Sequence, residues 1–324
     1  MTENRDIWVY VETDQGKIVK SSLELFTPAL EMTGKTGGQV TAVILGSNIE
    51  EAAKTLGQYG AGKVIAARTG EYCPEAYTAA MAQLINKYKP DAVMFSATAN
   101  AKDFVSKLAC RIKTGVTANC TELSIDPETG LISWMMPAPG GIVATILCEK
   151  TRPQMGTVCQ GIFKAPVPDE SREAEVIFED TDAVPSTQIR RLAKEIIKAE
   201  KSIEDAEIIV AGGYGARPEG FVLLEQLADA LGGVVAASRA AVDADWIAAD
   251  RMVGQSGKVV HPKLYIACGI SGALQHIVGV AADCVVAINN DPRAPIFEIA
   301  DYGIVGSIFD VIPALIEEVR KAKG

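Results

Sequence analysis

Glycine, hydroxyl and amide residues recur directly after short apolar runs in the C-terminal part of the chain. The stretches are AGGYGARPEG (211–220), SRAAVD (238–243), VGQSGK (253–258), CGISGALQH (268–276) and INNDP (288–292). Glycine-rich turns let backbone N–H groups approach a phosphate, while serine, asparagine and glutamine side chains bind sugar hydroxyls. Each stretch alone is ordinary turn chemistry. Together they favour a crevice that binds a dinucleotide.

Two side chains in these stretches could respond to charge on a ligand. Arg239 carries a cation, and His276 is one of only two histidines, placed one turn into a predicted helix. Both follow predicted strands, and in an open parallel sheet the carboxyl ends of the strands border the ligand crevice. The position of His276 therefore fits either a surface or core histidine or a ligand contact over the strand end, and the sequence pattern alone leaves both open.

Metal and hydrolytic chemistry are not predicted. The seven cysteines lie singly, without a C-x-x-C pair, and two histidines are too few for a histidine-rich metal site. No Ser-His-Asp or paired-carboxylate arrangement is apparent in the sequence. We expect no metal ion and no catalytic acid–base group.

The bulk composition predicts a globular protein with an acidic surface. Hydrophobic residues make up 48% of the chain and charged residues 22%, and the net charge is −10. This charge argues against a nucleic-acid partner, which needs a basic footprint. No apolar run reaches the ~18 residues of a membrane span, and no secretory signal is visible. Since the thiols are scattered as in reducing compartments, we expect a cytoplasmic protein without membrane insertion.

The elements that must position these residues alternate between strands and helices. Residues 1–113 predict βαβ units, residues 121–180 a strand meander, and the βα alternation restarts at Glu207. The fold class is therefore α/β, with two domains that are each a parallel-sheet, Rossmann-like layer structure. We place the N-terminal domain at 1–190, a charged linker at 191–206 and a doubly wound C-terminal domain at 207–324.

Five motifs, in the same order along the chain, resemble the FAD-binding half of the electron-transfer flavoprotein α subunit. They are SRAAVD (238–243), VGQSGK (253–258), LYIACGISGALQH (264–276), VAINNDPRAPIF (286–297) and ADYGIVG (300–306). The N-terminal half agrees in element order and in the motif RPQMGTV. The resemblance implies one non-covalent FAD in the C-terminal domain.

The resemblance also implies which residues hold FAD. The positions are Tyr214, Arg217, Ser238, Arg239, Val253, Gly254, Gln255, Ser256, Gly257, Ser271, Gly272, Ala273, Leu274, Gln275, His276, Asn289, Ser307 and Ile308. Ser256 is expected near flavin N5, and Arg239 and His276 near the ring, where they would stabilise the reduced, anionic flavin. These three residues are the expected redox-tuning groups.

Two positions depart from the family pattern. Tyr214 stands where the family commonly has an FAD-contacting arginine, and Arg217 could substitute if the turn folds back. Ser307 stands where an aspartate usually follows ADYGIVG. The departures predict an FAD affinity or reduction potential that differs from the family norm.

The resemblance implies a bacterial electron carrier that is not itself an enzyme. Its expected partners are the β subunit of a heterodimer, which would hold a second FAD or AMP, and a flavin dehydrogenase such as an acyl-CoA dehydrogenase. Membership of an electron-bifurcating complex stays open.

Two other functions compete with this interpretation. A pyridine-nucleotide-dependent dehydrogenase would use the same crevice, but it requires an acidic residue at the end of the second strand. Here that strand ends in Ser238 and Arg239. A non-redox nucleotide-binding subunit is the second alternative, and the intact motifs argue against it.

Overall fold

The chain divides into two compact units. The computed structural model describes residues 5–138, 142–181, 202–204 and 206–323. The units comprise residues 1–193 and 194–324. Most of the predicted linker, 191–206, lies outside the described residues, so the predicted domain boundaries stay predictions.

The first unit contains twelve strands and five α-helices within the described residues. The strands are β1 (Ile7–Val11), β2 (Thr13–Asp14), β3 (Lys17–Ile18), β4 (Val40–Gly46), β5 (Lys63–Arg68), β6 (Ala92–Ser96), β7 (Thr117–Cys120), β8 (Glu122–Ile125), β9 (Ile132–Ala138), β10 (Ile142–Ile146), β11 (Gln154–Val158) and β12 (Glu175–Glu179). The helices are α1 (Lys20–Glu24), α2 (Phe26–Thr36), α3 (Glu50–Thr55), α4 (Pro74–Tyr88) and α5 (Ala99–Ile112).

Seven of these strands form one parallel sheet in the order β12-β5-β4-β1-β6-β11-β7. Strand β1 shows why both faces are covered, because Ile7, Val9 and Val11 enter one core while Trp8 and Tyr10 enter the other. Successive side chains of a strand point to opposite faces, so a continuous apolar run is buried on both sides. Helices α2 and α3 cover the first face, and α4 and α5 the second.

The predicted meander over 121–180 is correct only for its first part. Strands β8, β9 and β10 form a three-stranded antiparallel sheet. Strands β11 and β12 instead join the large sheet, where β12 pairs in parallel with β5 at the far edge. Apolar alternation does not encode the neighbour of a strand, because a long connection lets the chain return to either edge.

The second unit is a five-stranded parallel sheet covered on both faces. Its elements are β13 (Ile208–Gly212), α6 (Arg217–Leu231), β14 (Val234–Ala237), α7 (Arg239–Asp243), β15 (Leu264–Cys268), α8 (Leu274–Ile277), β16 (Val285–Asn289), β17 (Tyr302–Val305) and α9 (Ile308–Lys323). Helices α6, α7 and α9 pack on one face, and parts of the loops after β14, β15 and β16 cover the other.

The strand order of this sheet, β14-β13-β15-β16-β17, contains one reversal of direction. The chain moves from β13 to β14 on one side and then returns to β15 on the other side. Such a topological switch point opens a crevice at the carboxyl ends of the two central strands, here β13 and β15. The two parallel sheets confirm the predicted α/β class and the doubly wound second unit.

The turns after β13 and β15 are hydrogen-bonded to each other at this switch point. The Gly213 N–H donates to Cys268 O at 2.9 Å, and the Gly215 N–H donates to Gly269 O at 3.0 Å. Gly269 has a φ of +62°, and a Cβ there would lie 2.8 Å from Ala216 N. The two backbones can approach this closely only because side chains are absent.

Replacing Gly269 by alanine is therefore expected to destabilise the second unit more than ordinary backbone strain does. Gly232 is the matched control, since its φ is +80° and no atom lies within 4 Å of an added Cβ. Both alanine variants incur about 1–2 kcal/mol for the left-handed conformation. Gly269→Ala should lose about 1–3 kcal/mol more, because the neighbouring turn must move. Urea denaturation measures this difference, and equal losses in both variants would contradict the interlock.

Candidate functional site

The carboxyl edge of the second sheet brings most of the predicted site loops together. The Ser238 N–H donates to Gly212 O at 2.9 Å, which ties the end of β14 to the end of β13. The Gly269 N–H donates to Ile288 O at 2.9 Å, which ties the turn after β15 to β16. The loops that follow β13, β14, β15 and β16 therefore border one crevice.

The loop 253–257 is held against the segment that leads into α8. The Val253 N–H donates to Ala237 O at 2.9 Å, and the Gln255 N–H donates to Gln275 O at 2.7 Å. A Cβ on Gly254 would lie 2.6 Å from Gln275 O, at a φ of +138°. Gln255 and Ser256 remain exposed. The loop thus presents its amide and hydroxyl groups while its backbone is fixed.

His276 lies in a buried position with both ring nitrogens bound by the protein. Its exposed fraction is 6%. Nδ1 lies 3.1 Å from Val253 O, and Nε2 lies 2.9 Å from the Tyr265 hydroxyl. Because a carbonyl only accepts, Nδ1 carries the proton and donates. Burial lowers the pKa of His276, so the ring is neutral and Nε2 accepts from Tyr265.

The imidazole therefore links the loop 253–257 to strand β15 through one hydrogen bond to each. This conformation offers no free ring N–H to a ligand, which sequence reasoning could not anticipate because it missed Tyr265. The role of His276 as a flavin contact stays a prediction, and it requires a ligand atom to take the place of the Tyr265 hydroxyl.

Arg239 is an exposed cation at the start of α7. Its Nε lies 3.2 Å from Asp243 Oδ2, and the two side chains are 69% and 60% exposed. An exposed i,i+4 pair contributes little free energy, so the guanidinium can turn toward an anionic ligand at small cost. Within the described residues, Ser238 makes no side-chain capping bond to α7, which leaves its hydroxyl available to a ligand.

Three predicted positions have structural duties. Asn289 is buried, and its Nδ2 donates to Ile270 O at 2.8 Å while its Oδ1 accepts the Asp291 N–H at 2.9 Å. Ser307 Oγ accepts the Phe309 N–H at 3.2 Å, so its hydroxyl caps the start of α9. The Ile308 side chain lies in the core and leaves only its backbone to the crevice. Ligand contacts at these positions stay predictions.

Ser271 does not cap the helix that follows it, although serine is a common N-cap residue. Helix α8 begins at Leu274 and its N-cap is Ala273. Gly272 turns the chain at a φ of +86°, and Ser271 O accepts the Ile296 N–H at 3.1 Å. Ser271 is exposed, so its hydroxyl faces solvent at the crevice edge instead.

Arg217 adopts a backbone conformation that residues other than glycine rarely occupy. Its φ is 55° and its ψ is 167°, and it is exposed at the first position of α6. Such a conformation costs roughly 1–3 kcal/mol, and strain of this kind clusters at functional sites. Arg217 follows Tyr214 by three residues, and its expected role as a substitute for an FAD-contacting arginine at position 214 stays a prediction.

The first unit has a comparable switch point between β1 and β6, but its own side chains fill it. Glu12 follows β1 and is 8% exposed. Its carboxylate accepts the Thr98 hydroxyl and, at 2.8 Å, the Asn100 amide, and its backbone N–H donates to Ser22 Oγ at 3.0 Å. A buried carboxylate would repel a phosphate. The crevice of the second unit is therefore the better candidate for an anionic nucleotide.

Other chemistry finds little support within the described residues. They contain no group of three or more His, Cys, Asp and Glu side chains that could hold a metal ion. Burial raises the pKa of the Cys268 thiol to about 12, so this strand cysteine is inert near neutral pH. None of the described helices is long and apolar enough to cross a membrane.

Comparison with known proteins identifies a family for both units. Residues 7–183 match the electron transfer flavoprotein domain, and residues 202–281 match the electron transfer flavoprotein FAD-binding domain. The chain is 46% identical to the electron transfer flavoprotein subunit alpha of Thermoanaerobacterium thermosaccharolyticum, with 100% of both chains covered. It is 42% identical to the subunit of the same name from Clostridium acetobutylicum, with 98% of each covered.

A third relative is an electron transfer subunit of a reductase. The acryloyl-CoA reductase electron transfer subunit beta of Anaerotignum propionicum is 37% identical over 98% of this chain and 96% of its own length. All three similarities extend over both units.

Arg217 provides a test in which stability and binding should change in opposite directions. Arg217→Gly relieves the unfavourable φ and should raise the free energy of unfolding by about 1 kcal/mol. If Arg217 contacts the cofactor as predicted, the same change removes a cation from the site and should weaken FAD binding by roughly tenfold or more. Urea denaturation and flavin fluorescence titration measure the two effects.

Arg217→Ala is the control, since it removes the cation and keeps the strain. It should weaken FAD binding as much as Arg217→Gly without the gain in stability. If both variants bind FAD like the parent, Arg217 is not a cofactor contact.

Proposed function

This chain belongs to the electron transfer flavoprotein α-subunit family, and on that premise we propose that it passes electrons between a flavin dehydrogenase and an acceptor. Its second unit carries the FAD-binding domain of the family. FAD supplies the redox chemistry, because its ring system accepts and releases one or two electrons. The protein contributes binding, orientation and electrostatics.

The switch-point crevice of the second unit is the observation that supports this proposal most strongly. The interlocked glycine turns have no side chains at the carboxyl edge of the sheet, so a pyrophosphate could approach the backbone closely there. The turn 271–276 is the proposed pyrophosphate and ribityl site. The end of β14 presents Ser238 and Arg239, a hydroxyl and a cation. This disfavours a nicotinamide cofactor, whose ribose is bound by an acidic residue at that point.

Arg239 and Ser256 are the proposed groups around the flavin ring. Both are exposed at the crevice. A guanidinium near the N1–C2=O edge interacts more strongly with the reduced, anionic ring than with the neutral oxidised ring, and so raises the reduction potential. His276 is neutral and buried, so it would act as a hydrogen-bonding group rather than as a cation.

The proposed partners are a β subunit, which completes the heterodimer, and a flavin dehydrogenase such as an acyl-CoA dehydrogenase. The names of the relatives support this, since two are alpha subunits and one belongs to an acryloyl-CoA reductase. Strand β10 supports a protein partner on the first unit, because Ile142, Val143 and Ile146 are exposed at the edge of a sheet. Exposed apolar side chains on an edge strand are typical of a surface that another protein chain covers. We propose that oxidoreductase activity arises only in this assembly.

Cofactor content tests the proposal directly. The chain co-purified with its β subunit should carry one FAD per α subunit, plus either AMP or a second FAD in the β subunit. Two flavins would favour a bifurcating complex, whereas one flavin and AMP would favour a simple carrier. Flavin absorbance and nucleotide analysis of the denatured complex measure this. A colourless complex protected by a nicotinamide nucleotide would refute the proposal.

Removing the Arg239 cation should lower the first reduction potential of the bound flavin. A charge-assisted bond contributes roughly 1.5–3 kcal/mol, and the exposure of this side chain favours the lower limit. Arg239→Ala should thus lower the potential by about 65 mV at most, using ~59 mV per tenfold change. Binding of oxidised FAD should change far less. Reductive titration with a reference dye measures the potential.

Arg320→Ala is the matched control, because it removes the same charge from the last turn of α9. A helix that follows a parallel strand runs back along the sheet, so this turn lies at the opposite, amino edge. If Arg239→Ala and Arg320→Ala have the same flavin reduction potential, Arg239 does not contact the flavin and the assignment is wrong.

A further inference from the structure

Tyr214 follows the buried glycines Gly212, the last residue of β13, and Gly213, and the residue is 65% exposed. The neighbouring Gly213 and Gly215 bond to the turn after β15, so Tyr214 is held at the switch point itself. Its ring stacks on Trp246, with a centroid distance of 5.0 Å and an interplanar angle of 23°. One face of Tyr214 is therefore covered and the other is open.

The stack is anchored in the core of the second unit. Trp246 packs against the edge of Phe221, with ring centroids 6.4 Å apart at 66°. Phe221 in turn lies over Gly212, where an added Cβ would come within 2.6 Å of its Cζ. A glycine at the last position of β13 thus leaves room for Phe221, which supports Trp246, which supports Tyr214. The orientation of the outer ring is fixed before any ligand arrives.

We propose that Tyr214 and Trp246 form an aromatic platform and that the open face of Tyr214 stacks on a planar ring of the bound cofactor. The inference rests on the proposed FAD site. A pre-oriented aromatic ring suits a planar heterocycle, because offset stacking gains contact area without ordering further side chains. Stacking would replace the ionic contact that the family commonly makes here, and unlike that contact it is not screened by salt.

Tyr302 supplies an internal comparison. It is 67% exposed, close to the value for Tyr214, and it lies at the first position of β17. Its partner across the sheet is Val286, near the beginning of β16, so Tyr302 lies at the amino edge. Among the described residues it stacks on no other ring. The two tyrosines are almost equally exposed, but only Tyr214 lies at the crevice and is stacked on another aromatic ring.

The test compares Tyr214→Leu, Tyr214→Phe and Tyr302→Leu in the heterodimer after removal and re-addition of FAD. Stacking of a heterocycle on an aromatic side chain predicts a loss of affinity of about 5-fold to about 150-fold for Tyr214→Leu. Tyr214→Phe keeps the ring and should bind within about twofold of the parent. The loss in Tyr214→Leu should be the same at low and high salt.

A second readout is independent of electron transfer. Trp8 and Trp134 are buried in the first unit, whereas Trp246 lies beneath Tyr214, so FAD binding should quench tryptophan fluorescence in the parent and less in Trp246→Phe. Titration with FMN and with ADP separates the two rings of the cofactor. A loss in Tyr214→Leu for FMN alone assigns the flavin ring, and a loss for ADP alone assigns the adenine.

If Tyr214→Leu binds FAD as tightly as Tyr302→Leu while the parent binds FAD, the platform is refuted and the FAD site stands. A salt-dependent loss would also refute stacking. If the parent itself does not bind FAD, the proposed function fails instead.

Discussion

The close approach of two backbone turns, one after β13 and one after β15, is the constraint on which the candidate site depends. Gly213 and Gly215 donate to Cys268 and Gly269, and added side chains at these glycines would overlap the opposite turn. Since no side chains intervene, the two turns lie close together at the carboxyl edge of the sheet. A glycine-lined edge of this kind lets a phosphate group approach the backbone closely.

Every other part of the crevice is positioned relative to that contact. The loop 253–257 bonds to the end of β14 on one side and to the approach to α8 on the other, and His276 clasps it to β15 through Tyr265. The aromatic stack of Tyr214 and Trp246 rests on Phe221 above Gly212. Rigid supports and exposed polar tips allow a ligand to bind with little reorganisation.

The two units share one architecture but place different side chains at their switch points. Both have a parallel sheet with a switch point, but the first unit closes its crevice with the buried carboxylate of Glu12 and its partners Thr98 and Asn100. The second unit leaves hydroxyls and cations at the equivalent edge. The chain carries a net charge of −10, so local groups rather than the overall charge must attract an anionic cofactor.

The sequence by itself determined the α/β class, the doubly wound second unit and the family, because apolar runs, helix boundaries and glycine turns are local features. It also identified the residues of the crevice loops. Only the tertiary structure decided that β12 lies beside β5, that Ser307 rather than Ser271 caps a helix, and that Trp246 supports Tyr214. It likewise decided that Tyr265 and Val253 occupy both nitrogens of His276. These contacts join residues from 11 to 112 positions apart (276 − 265 and 175 − 63) or depend on how a turn packs on its neighbour, and no local pattern specifies which strand edges and turns will meet.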